Sequence, residues 1–556
     1  MIKIFKNFTK KDWSLIIICL AFIILQVWLD LKLPDYMSKI TMLVQTTGST
    51  MDEIIESGVK MLGCALGSLA SSVVVAIFAA RVATNFAANL RERLFDKVQA
   101  FSMEEIGSFS TASLITRSTN DISQIQTLVV MGLQAIIKAP IMAVWAIFKI
   151  AGKSWQWTAS TGVAVIVLLV IVGSCMIFAL PKFKKLQQLT DDLNRVTREN
   201  LTGISVVRAY NAENYQENKF ENANQELTSA NLFANRVMAI MSPGIQGIMS
   251  GLTLAIYWIG AILIENAAMM DKLNLFSDMV VFSTYAMQVV MAFMMLVMIF
   301  IMFPRASVSS KRIMEVLETV PIINDGTVTV AKPGIKGQIE FKNVSFKYPD
   351  AEDYVLQNIT FTVAQGETVA FIGSTGCGKS TVINLVPRFY DVTEVLVDGI
   401  NVKAYTQYAL HNKIGYVSQK AVLFSGTIES NVAYGDNGRN NNLQNDVIDA
   451  IYTAQASDFV EASPRRYNSY VAQGGYSGGQ KQRISIARAI CRQPEIMIFD
   501  DSFSALDYKT DQKLREALKK DCCDATKLIV AQRIGTIRDA DKIIVLDEGV
   551  IVGMGT

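Results

Sequence analysis

A glycine-rich stretch in the second half of this 556-residue chain carries one lysine and several hydroxyl side chains. It consists of Gly373, Ser374, Thr375, Gly376, Cys377, Gly378, Lys379, Ser380 and Thr381. In the pattern G-x-x-x-x-G-K-[ST], the glycines let backbone N–H groups point at phosphates, and the lysine adds positive charge beside the outer phosphates. The Ser380 hydroxyl can join a Mg²⁺ shell. Because an apolar run precedes the stretch, we expect a strand, a phosphate-binding loop and then a helix.

A second apolar run, at 496–499, ends in Asp500. A carboxylate at the end of a strand can hold a Mg²⁺-bound water opposite the loop hydroxyl of Ser380. Neither element is decisive by itself. Together, they predict a nucleotide site that uses Mg²⁺.

Between these two elements lies a turn that opens a helical run at 484–490. The turn is formed by Ser477, Gly478, Gly479 and Gln480. The N-terminus of a helix favours an anion because of its free N–H groups and its dipole. Two phosphate-binding helix starts in one chain indicate a nucleotide sandwiched between two copies of the domain.

The first 300 residues are far more apolar, and they raise the hydrophobic share of the whole chain to 51%. Six stretches are long enough to cross a membrane as helices. Four of them are uncharged or nearly so, at 61–80, 157–180, 237–264 and 279–303, and two weaker ones lie at about 13–36 and 127–150. The weaker stretches contain Asp30 and Lys138. Such charges either lie at the interface or face the interior of the bundle, and both readings stay open.

The distribution of charge sets the orientation and excludes some functions. Basic residues cluster before the first stretch, after the second and after the fourth, so we expect both termini in the cytoplasm. The 52 basic and 50 acidic residues nearly cancel, which gives no reason to expect nucleic acid as a partner. The seven cysteines show neither metal-ligand spacing nor a secreted disulfide pattern.

The chain is therefore expected to be an α-helical membrane domain, with long intracellular helix extensions, fused to an α/β phosphate-loop domain. We predict the membrane domain at 1–320, a linker with several prolines and glycines at 321–336, and the nucleotide-binding domain at 337–556. Two polar inner links, with tips at 101–110 and 202–214, keep the apolar periodicity of helices.

At this point the chain resembles the ATP-binding cassette (ABC) transporters, specifically the exporters that carry a membrane domain ahead of the cassette. The resemblance covers almost the whole chain and rests on five motifs in the family's order. These are the phosphate loop, the Gln419 loop, the signature Ser477 to Gln480, the strand ending in Asp500 and the segment 504–507.

The resemblance implies ATP and Mg²⁺ as cofactors and assigns several roles. Tyr348 should stack on adenine, Gln419 should contact Mg²⁺ and face the membrane domain, and 101–110 and 202–214 should be the coupling helices. The signature should act on the ATP of a partner chain. The family normally extends beyond the end of this sequence, so the cassette is expected to be incomplete at its C-terminal end.

Two departures from the family pattern fall on the same site. Members that hydrolyse ATP well carry Glu after the strand aspartate, whereas this chain has Asp501; they carry a switch His where this chain has Gln532. A shorter carboxylate does not reach the same water, and an amide does not titrate. The only histidine, His411, lies just before the Gln419 loop and is expected to be a surface or loop residue. We therefore expect weak hydrolysis at this chain's own site.

These departures predict a heterodimer in the plasma membrane, in which the partner carries the usual Glu and His. Met and aromatic residues in the later spans favour amphipathic or lipophilic drugs as the exported compounds. Three alternatives stay open: lipid export, peptide export, and a regulatory module that binds ATP without transport.

Overall fold

The computed structural model describes residues 2–46, 49–151, 154–268, 271–330, 334–349, 351–435, 443–471 and 475–556. The chain divides into two compact units. One comprises Met1–Lys97 with Ala112–Thr319, and the other comprises Val98–Thr111 with Val320–Thr556. Part of the predicted linker, at 331–333, lies outside the described residues.

The membrane unit is built from long helices. In chain order the helices are α1 Ile2–Phe5, α2 Lys10–Gln45, α3 Met51–Gln99, α4 Met103–Phe109, α5 Thr111–Thr116, α6 Ile122–Ala151, α7 Trp155–Thr202, α8 Ile204–Ala209, α9 Glu213–Ala239, α10 Met241–Glu265 and α11 Lys272–Glu318. A π-helical turn joins α5 to α6, and α4 belongs to the second unit. Within the described residues, six stretches of helix are long and apolar enough to cross a membrane, which agrees with the predicted number of spans.

Local sequence explains where the first long helix begins. The Thr9 hydroxyl accepts a hydrogen bond from the Asp12 N–H, and the Asp12 carboxylate accepts one from the Thr9 N–H. This reciprocal cap satisfies N–H groups that would otherwise lack partners at the start of α2. Further along the bundle, large side chains such as Trp157 and Phe282 are fully buried and pack ring against ring, 5.4 Å between centroids.

Two ion pairs join α2 to α6 in the membrane unit. Lys138 of α6 lies 3.2 Å from Asp30 of α2, and Lys149 of α6 lies 2.8 Å from Asp35 of α2. Asp35 also accepts a 2.6 Å hydrogen bond from the buried Tyr285 of α11. The two open readings of Asp30 and Lys138 are thus resolved: they face each other inside the bundle, because pairing removes most of the cost of a charge in an apolar setting.

The second unit is an α/β domain with two sheets. Its strands are β1 Ile339–Phe346, β2 Leu356–Val363, β3 Thr368–Ile372, β4 Val395–Val397, β5 Ile400–Asn401, β6 Ile414–Val417, β7 Ile496–Asp500, β8 Thr526–Val530, β9 Lys542–Asp547 and β10 Val550–Gly555. Its other helices are α12 Lys379–Leu385, α13 Gln407–Asn412, α14 Ile428–Val432, α15 Leu443–Thr453, α16 Ser457–Glu461, α17 Gly478–Cys491, α18 Tyr508–Asp521 and α19 Ile534–Ile537.

The strand order of the larger sheet brings the candidate site residues to one edge. The strand order is β10-β9-β3-β8-β7-β6. The five strands from β9 to β6 are mutually parallel. The carboxyl ends of parallel strands share one edge of a sheet, which is where such sheets bind ligands. The phosphate loop, the Gln532 segment, Asp500 and the Gln419 loop therefore follow neighbouring strands and meet at that edge.

The α4 segment is anchored within the second unit by one buried carboxylate. Glu105 accepts hydrogen bonds from the Ser102 hydroxyl at 2.6 Å and from the Ile322 N–H at 2.9 Å. Burial by itself would raise the pKa of Glu105, but these hydrogen bonds outweigh it and hold the pKa below its ordinary value. The predicted tip 101–110 thus contains a short capped helix tied to the start of the cassette segment.

Candidate nucleotide site

The backbone of the phosphate loop has a shape that requires glycine at two points. Gly378 has a φ of +99°, and a Cβ there would lie 2.6 Å from the Leu356 side chain. At Gly373 a Cβ would lie 2.0 Å from the Leu546 carbonyl oxygen. A side chain at either position would force the backbone to move. The loop therefore keeps the open, N–H-lined concavity that an anion needs.

Lys379 supplies the positive charge of the loop. It is almost completely buried, and its ammonium donates to the carbonyl oxygens of Gly373 at 2.9 Å and Ser374 at 2.6 Å. Phosphate oxygens carry more negative charge than these carbonyl oxygens, and they can accept hydrogen bonds from the same ammonium group. The loop residues fit the phosphates of ATP on this ground.

Two of the three side chains expected to bind Mg²⁺, Ser380 and Asp500, are in direct contact, whereas Gln419 bonds to Asp501. The Ser380 hydroxyl donates to Asp500 Oδ1 at 2.7 Å. Burial raises the pKa of Asp500 above its ordinary value, the neighbouring Asp501 charge adds to this, and the Ser380 hydrogen bond opposes it. Across the described parts of the chain, no three His, Cys, Asp or Glu side chains gather into a metal cage. One hydroxyl and one carboxylate fit a Mg²⁺ ion that takes its remaining ligands from phosphates and water.

The two departures from the family pattern lie together, and Gln419 joins them. Asp501 Oδ2 accepts a hydrogen bond from Gln532 Nε2 at 2.9 Å and a longer one from Gln419 Nε2 at 3.4 Å. Asp501 itself is buried and has a left-handed backbone, with φ +47°. We name Asp501, Gln532 and Gln419 the amide-bound carboxylate. A carboxylate engaged by two amides is held as an acceptor, and neither amide takes up a proton at neutral pH.

Tyr348 lies beside the phosphate loop. Its hydroxyl is 3.0 Å from the Thr381 hydroxyl, and its ring makes edge contacts with Phe346 and Tyr390 at 5.0 and 5.2 Å between centroids. These contacts fix the plane of the ring at the side of the loop. Stacking on adenine stays a prediction.

The signature turn is a helix start with complete capping. Ser477 accepts at its hydroxyl from the Gln480 N–H at 3.3 Å, and its own N–H donates to the Gln480 side chain at 2.9 Å. Gly479 packs closely, since a Cβ there would lie 3.0 Å from the Ala505 carbonyl oxygen. Gly478 opens α17, so its N–H is among the free donors at the helix start.

Sequence reasoning missed what holds the switch segment in place. Arg533, next to Gln532, donates to the carbonyl oxygens of Ser504 at 3.0 Å and Leu506 at 3.1 Å. It thus ties the segment after β8 to the 504–507 segment. The only signal in the sequence was an arginine adjacent to the switch position.

The expectation for His411 was wrong in part. His411 lies on α13 and is half-buried rather than on a loop, and its Nε2 is 2.8 Å from the Pro387 carbonyl oxygen. Burial lowers the pKa of His411 below its ordinary value. It does not belong to the amide-bound carboxylate.

Comparison with known proteins agrees with this architecture. Residues 16–317 match the family described as ABC transporter transmembrane region, and residues 356–504 match the family described as ABC transporter. An uncharacterized ABC transporter ATP-binding protein of Mycobacterium tuberculosis is 38% identical over 512 residues, or 90% of this chain and 86% of that protein. An ATP-dependent lipid A-core flippase of Syntrophus aciditrophicus is 31% identical over 493 residues, or 86% of this chain and 79% of the flippase.

The fold also matches a solved structure, that of a bacterial Atm1-family ABC exporter with ATP bound. The TM-score is 0.78 over 98% of this chain and 95% of that chain, at 24% sequence identity, which is similarity of fold alone. Together with the family matches, it accounts for both the helical unit and the α/β unit. The chain therefore belongs to the ABC transporter family, as a half-transporter in which a multi-pass membrane domain is fused ahead of an ATP-binding cassette.

Proposed function

We propose that this chain is the poorly hydrolysing subunit of a heterodimeric ABC exporter of the plasma membrane, with both termini and the cassette in the cytoplasm. Its own phosphate loop binds ATP with Mg²⁺ and cleaves it slowly. Its signature turn acts on ATP bound by a partner with the usual Glu and His. The division into a membrane domain at 1–320, a linker at 321–336 and a cassette at 337–556 is part of the proposal.

The observation that carries this proposal is the hydrogen bond from Gln532 to Asp501. Hydrolysis needs a group that orients a water molecule and accepts its proton, and such a positioned base is worth about 10² to 10⁴ in rate. Asp501 is one methylene shorter than Glu, and Gln532 occupies one of its oxygens. The residues that bind phosphate and Mg²⁺, by contrast, keep their usual types. The site is thereby expected to retain binding and to lose most of the chemistry.

The signature argues for a partner that differs from this chain. In a head-to-tail pair of cassettes, each signature completes the nucleotide site of the other chain. Two copies of this chain would have two slow sites, whereas a partner with a working base would have one fast site completed by Ser477 to Gln480. Energy for transport would then come from the partner's ATP.

A row of exposed methionine side chains supports the proposal of a lipophilic substrate. Met291, Met295 and Met298 recur at helical spacing on α11, and all three are exposed. Methionine side chains are flexible and polarizable, so they adapt to apolar compounds of different shape. We propose amphipathic or lipophilic drugs as the exported class.

Transport tests the proposal directly. Inside-out vesicles holding this chain with its partner should accumulate a lipophilic fluorescent cation when ATP is added. Vesicles with the partner's strand-end Glu changed to Gln should not accumulate it, while Asp501→Asn in this chain should leave most of the uptake. Equal loss from both changes would contradict the division of labour, and no uptake by the unaltered pair would contradict export of drugs.

Lipid export is a second candidate, favoured by the similarity to the lipid A-core flippase. In proteoliposomes, it predicts ATP-dependent movement of a fluorescent phospholipid between leaflets. Drug export predicts that the lipophilic cation stimulates ATP turnover more than phospholipid does. A chain that binds ATP but moves neither compound would be the regulatory module.

A further inference from the structure

Three lysines lie at the start of the first membrane-spanning helix, in a segment that the function proposed above does not use. Lys6, Lys10 and Lys11 are all exposed, and we name them the entry lysines. No ion pair of any of the three is found among the described residues, whereas Lys3, slightly earlier in the chain, pairs with Glu318 at 2.8 Å. The entry lysines therefore present three positive charges without a counter-charge in the described part of the chain.

The acidic residue nearest to them in the sequence is already engaged. Asp12 is 1% exposed, and its Oδ2 accepts hydrogen bonds from the N–H and the hydroxyl of Thr9 at 2.9 and 2.7 Å. These bonds commit the carboxylate to the cap of α2. A counter-charge for the entry lysines must come from outside this segment.

Packing against α3 holds the segment in place. Ile4 is fully buried, and the Phe8 ring lies 4.4 Å from the Phe86 ring of α3, between centroids. The Phe5 ring also contacts both of these rings, at 5.8 and 6.5 Å. The entry lysines thus belong to a packed part of the helical unit, and apolar contacts set the position of their backbone.

The helix that follows identifies the surroundings as lipid. α2 is long and apolar enough to span a membrane, and Trp13 and Ile17 on its first two turns are 52% and 66% exposed. At 1.5 Å per residue, Ile17 lies about 9 Å along the helix from Lys11. The headgroup layer on each side of the hydrocarbon core is about 5 to 8 Å deep. When Ile17 lies in hydrocarbon, the entry lysines are at the level of the headgroups, and Trp13 is at the boundary that tryptophan favours.

The charge of the lysines selects the kind of headgroup. An ammonium offers three donors and no acceptor, so a phosphate oxygen is a suitable ligand. A zwitterionic headgroup also carries a cationic amine, which three lysines repel. A basic residue near a membrane surface favours anionic lipid by about fivefold in binding. We propose that the entry lysines bind the phosphates of anionic phospholipids, whose acyl chains lie along Trp13 and Ile17.

Photo-crosslinking at the start of α2 tests this site. Benzoylphenylalanine replaces Trp13 in the full chain, which is reconstituted in vesicles of equal parts phosphatidylglycerol and phosphatidylcholine with the same acyl chains. We expect about fivefold or more crosslinking to phosphatidylglycerol over phosphatidylcholine. Salt at about 1 M should abolish this preference, because it shortens the screening length to about 3 Å. Equal crosslinking of the two lipids in dilute salt, or crosslinks to protein alone, would overturn the proposal.

Charge variants assign the preference to the entry lysines. The triple variant Lys6→Gln, Lys10→Gln, Lys11→Gln should bring the two crosslink yields within about twofold of each other, whereas Arg at the same three positions should keep the preference. A matched control removes the same charge from three exposed lysines on α18 of the cassette and should also keep it: Lys513→Gln, Lys519→Gln, Lys520→Gln. A preference that survives the first triple variant, or that falls equally in the control, would show that the entry lysines are not the lipid site.

A second probe position guards against a disturbed fold. Trp13 makes an edge contact with Phe8, so its replacement could loosen the segment. Benzoylphenylalanine at Ile17, one turn further along α2, avoids that contact and should report the same preference. Absence of the preference at both positions would overturn the proposal. The readout needs neither a partner chain nor a transported compound, so its result is independent of the function proposed above.

Discussion

The signature turn and the amide-bound carboxylate are parts of one cassette, yet their side chains are held in different ways. Beside the signature, the Tyr476 ring packs on Phe459 at 5.8 Å between centroids, and both hydrogen bonds of the Ser477 cap are present. At the strand ends, Asp501 accepts hydrogen bonds from Gln532 and Gln419, and we propose that this arrangement handles a proton poorly. A site that only binds an anion tolerates a different neighbouring side chain. A site that catalyses hydrolysis depends on the position and charge of a single carboxylate.

The largest effect should come from the signature. Ser477→Ala in the assembled transporter should lower ATP turnover about 100-fold, because a missing donor in a preorganised anion site costs about 10² to 10³ in rate. Phosphate release by the purified pair measures this. Thr406→Ala, which removes an equivalent cap from α13, controls for helix stability and should leave turnover nearly unchanged. Unchanged ATP turnover in Ser477→Ala would contradict the proposal that the signature acts on the bound ATP.

Restoring the usual residues should produce the next largest effect. Asp501→Glu combined with Gln532→His should raise ATP hydrolysis by this chain alone about tenfold or more, since it supplies part of the 10² to 10⁴ that a positioned base contributes. Asp501→Gln with Gln532→His is the matched control, because it has the same length without the carboxylate. Equal rates of ATP hydrolysis in the two double variants would show that the missing carboxylate base does not explain slow hydrolysis.

Removing the charge of Asp501 should do little. Purified alone, the chain should hydrolyse ATP slowly, and Asp501→Asn should change that rate less than about threefold, because the carboxylate acts as an acceptor rather than as a base. Steady-state phosphate release with Mg²⁺ is the measurement. Rapid turnover by the unaltered chain, or its abolition by Asp501→Asn, would show a working base.

The smallest effect should be on packing beside the signature. Tyr476→Leu should leave turnover within about twofold and cost about 1 kcal/mol of stability, because it removes an aromatic pair and a weak contact to Ser463. Thermal unfolding of the purified chain measures the loss. A large fall in turnover would mean that Tyr476 acts in the site and does more than pack.

Sequence reasoning succeeded where the signal is local. The phosphate loop, the strand before it and the six spans follow from spacing and apolar runs within a few dozen residues. The grouping of Asp501, Gln532 and Gln419 depends on the strand order β8-β7-β6, which local patterns do not specify. The hydrogen bond from Ile322 to Glu105 joins residues 217 positions apart, so local sequence patterns could not predict it either.

The ion pairs of the membrane unit have a consequence for biogenesis. Asp30 and Lys138 are 108 residues apart, so ribosomes finish α2 well before α6 exists. A lone charge within a span costs about 3 kcal/mol on insertion, and Lys138 does not yet exist when Asp30 must enter. Early intermediates of this chain should hold α2 loosely at the translocation channel until α6 arrives. Neutralising Asp30 should let α2 enter the lipid sooner and leave Lys138 as the late, unpaired charge.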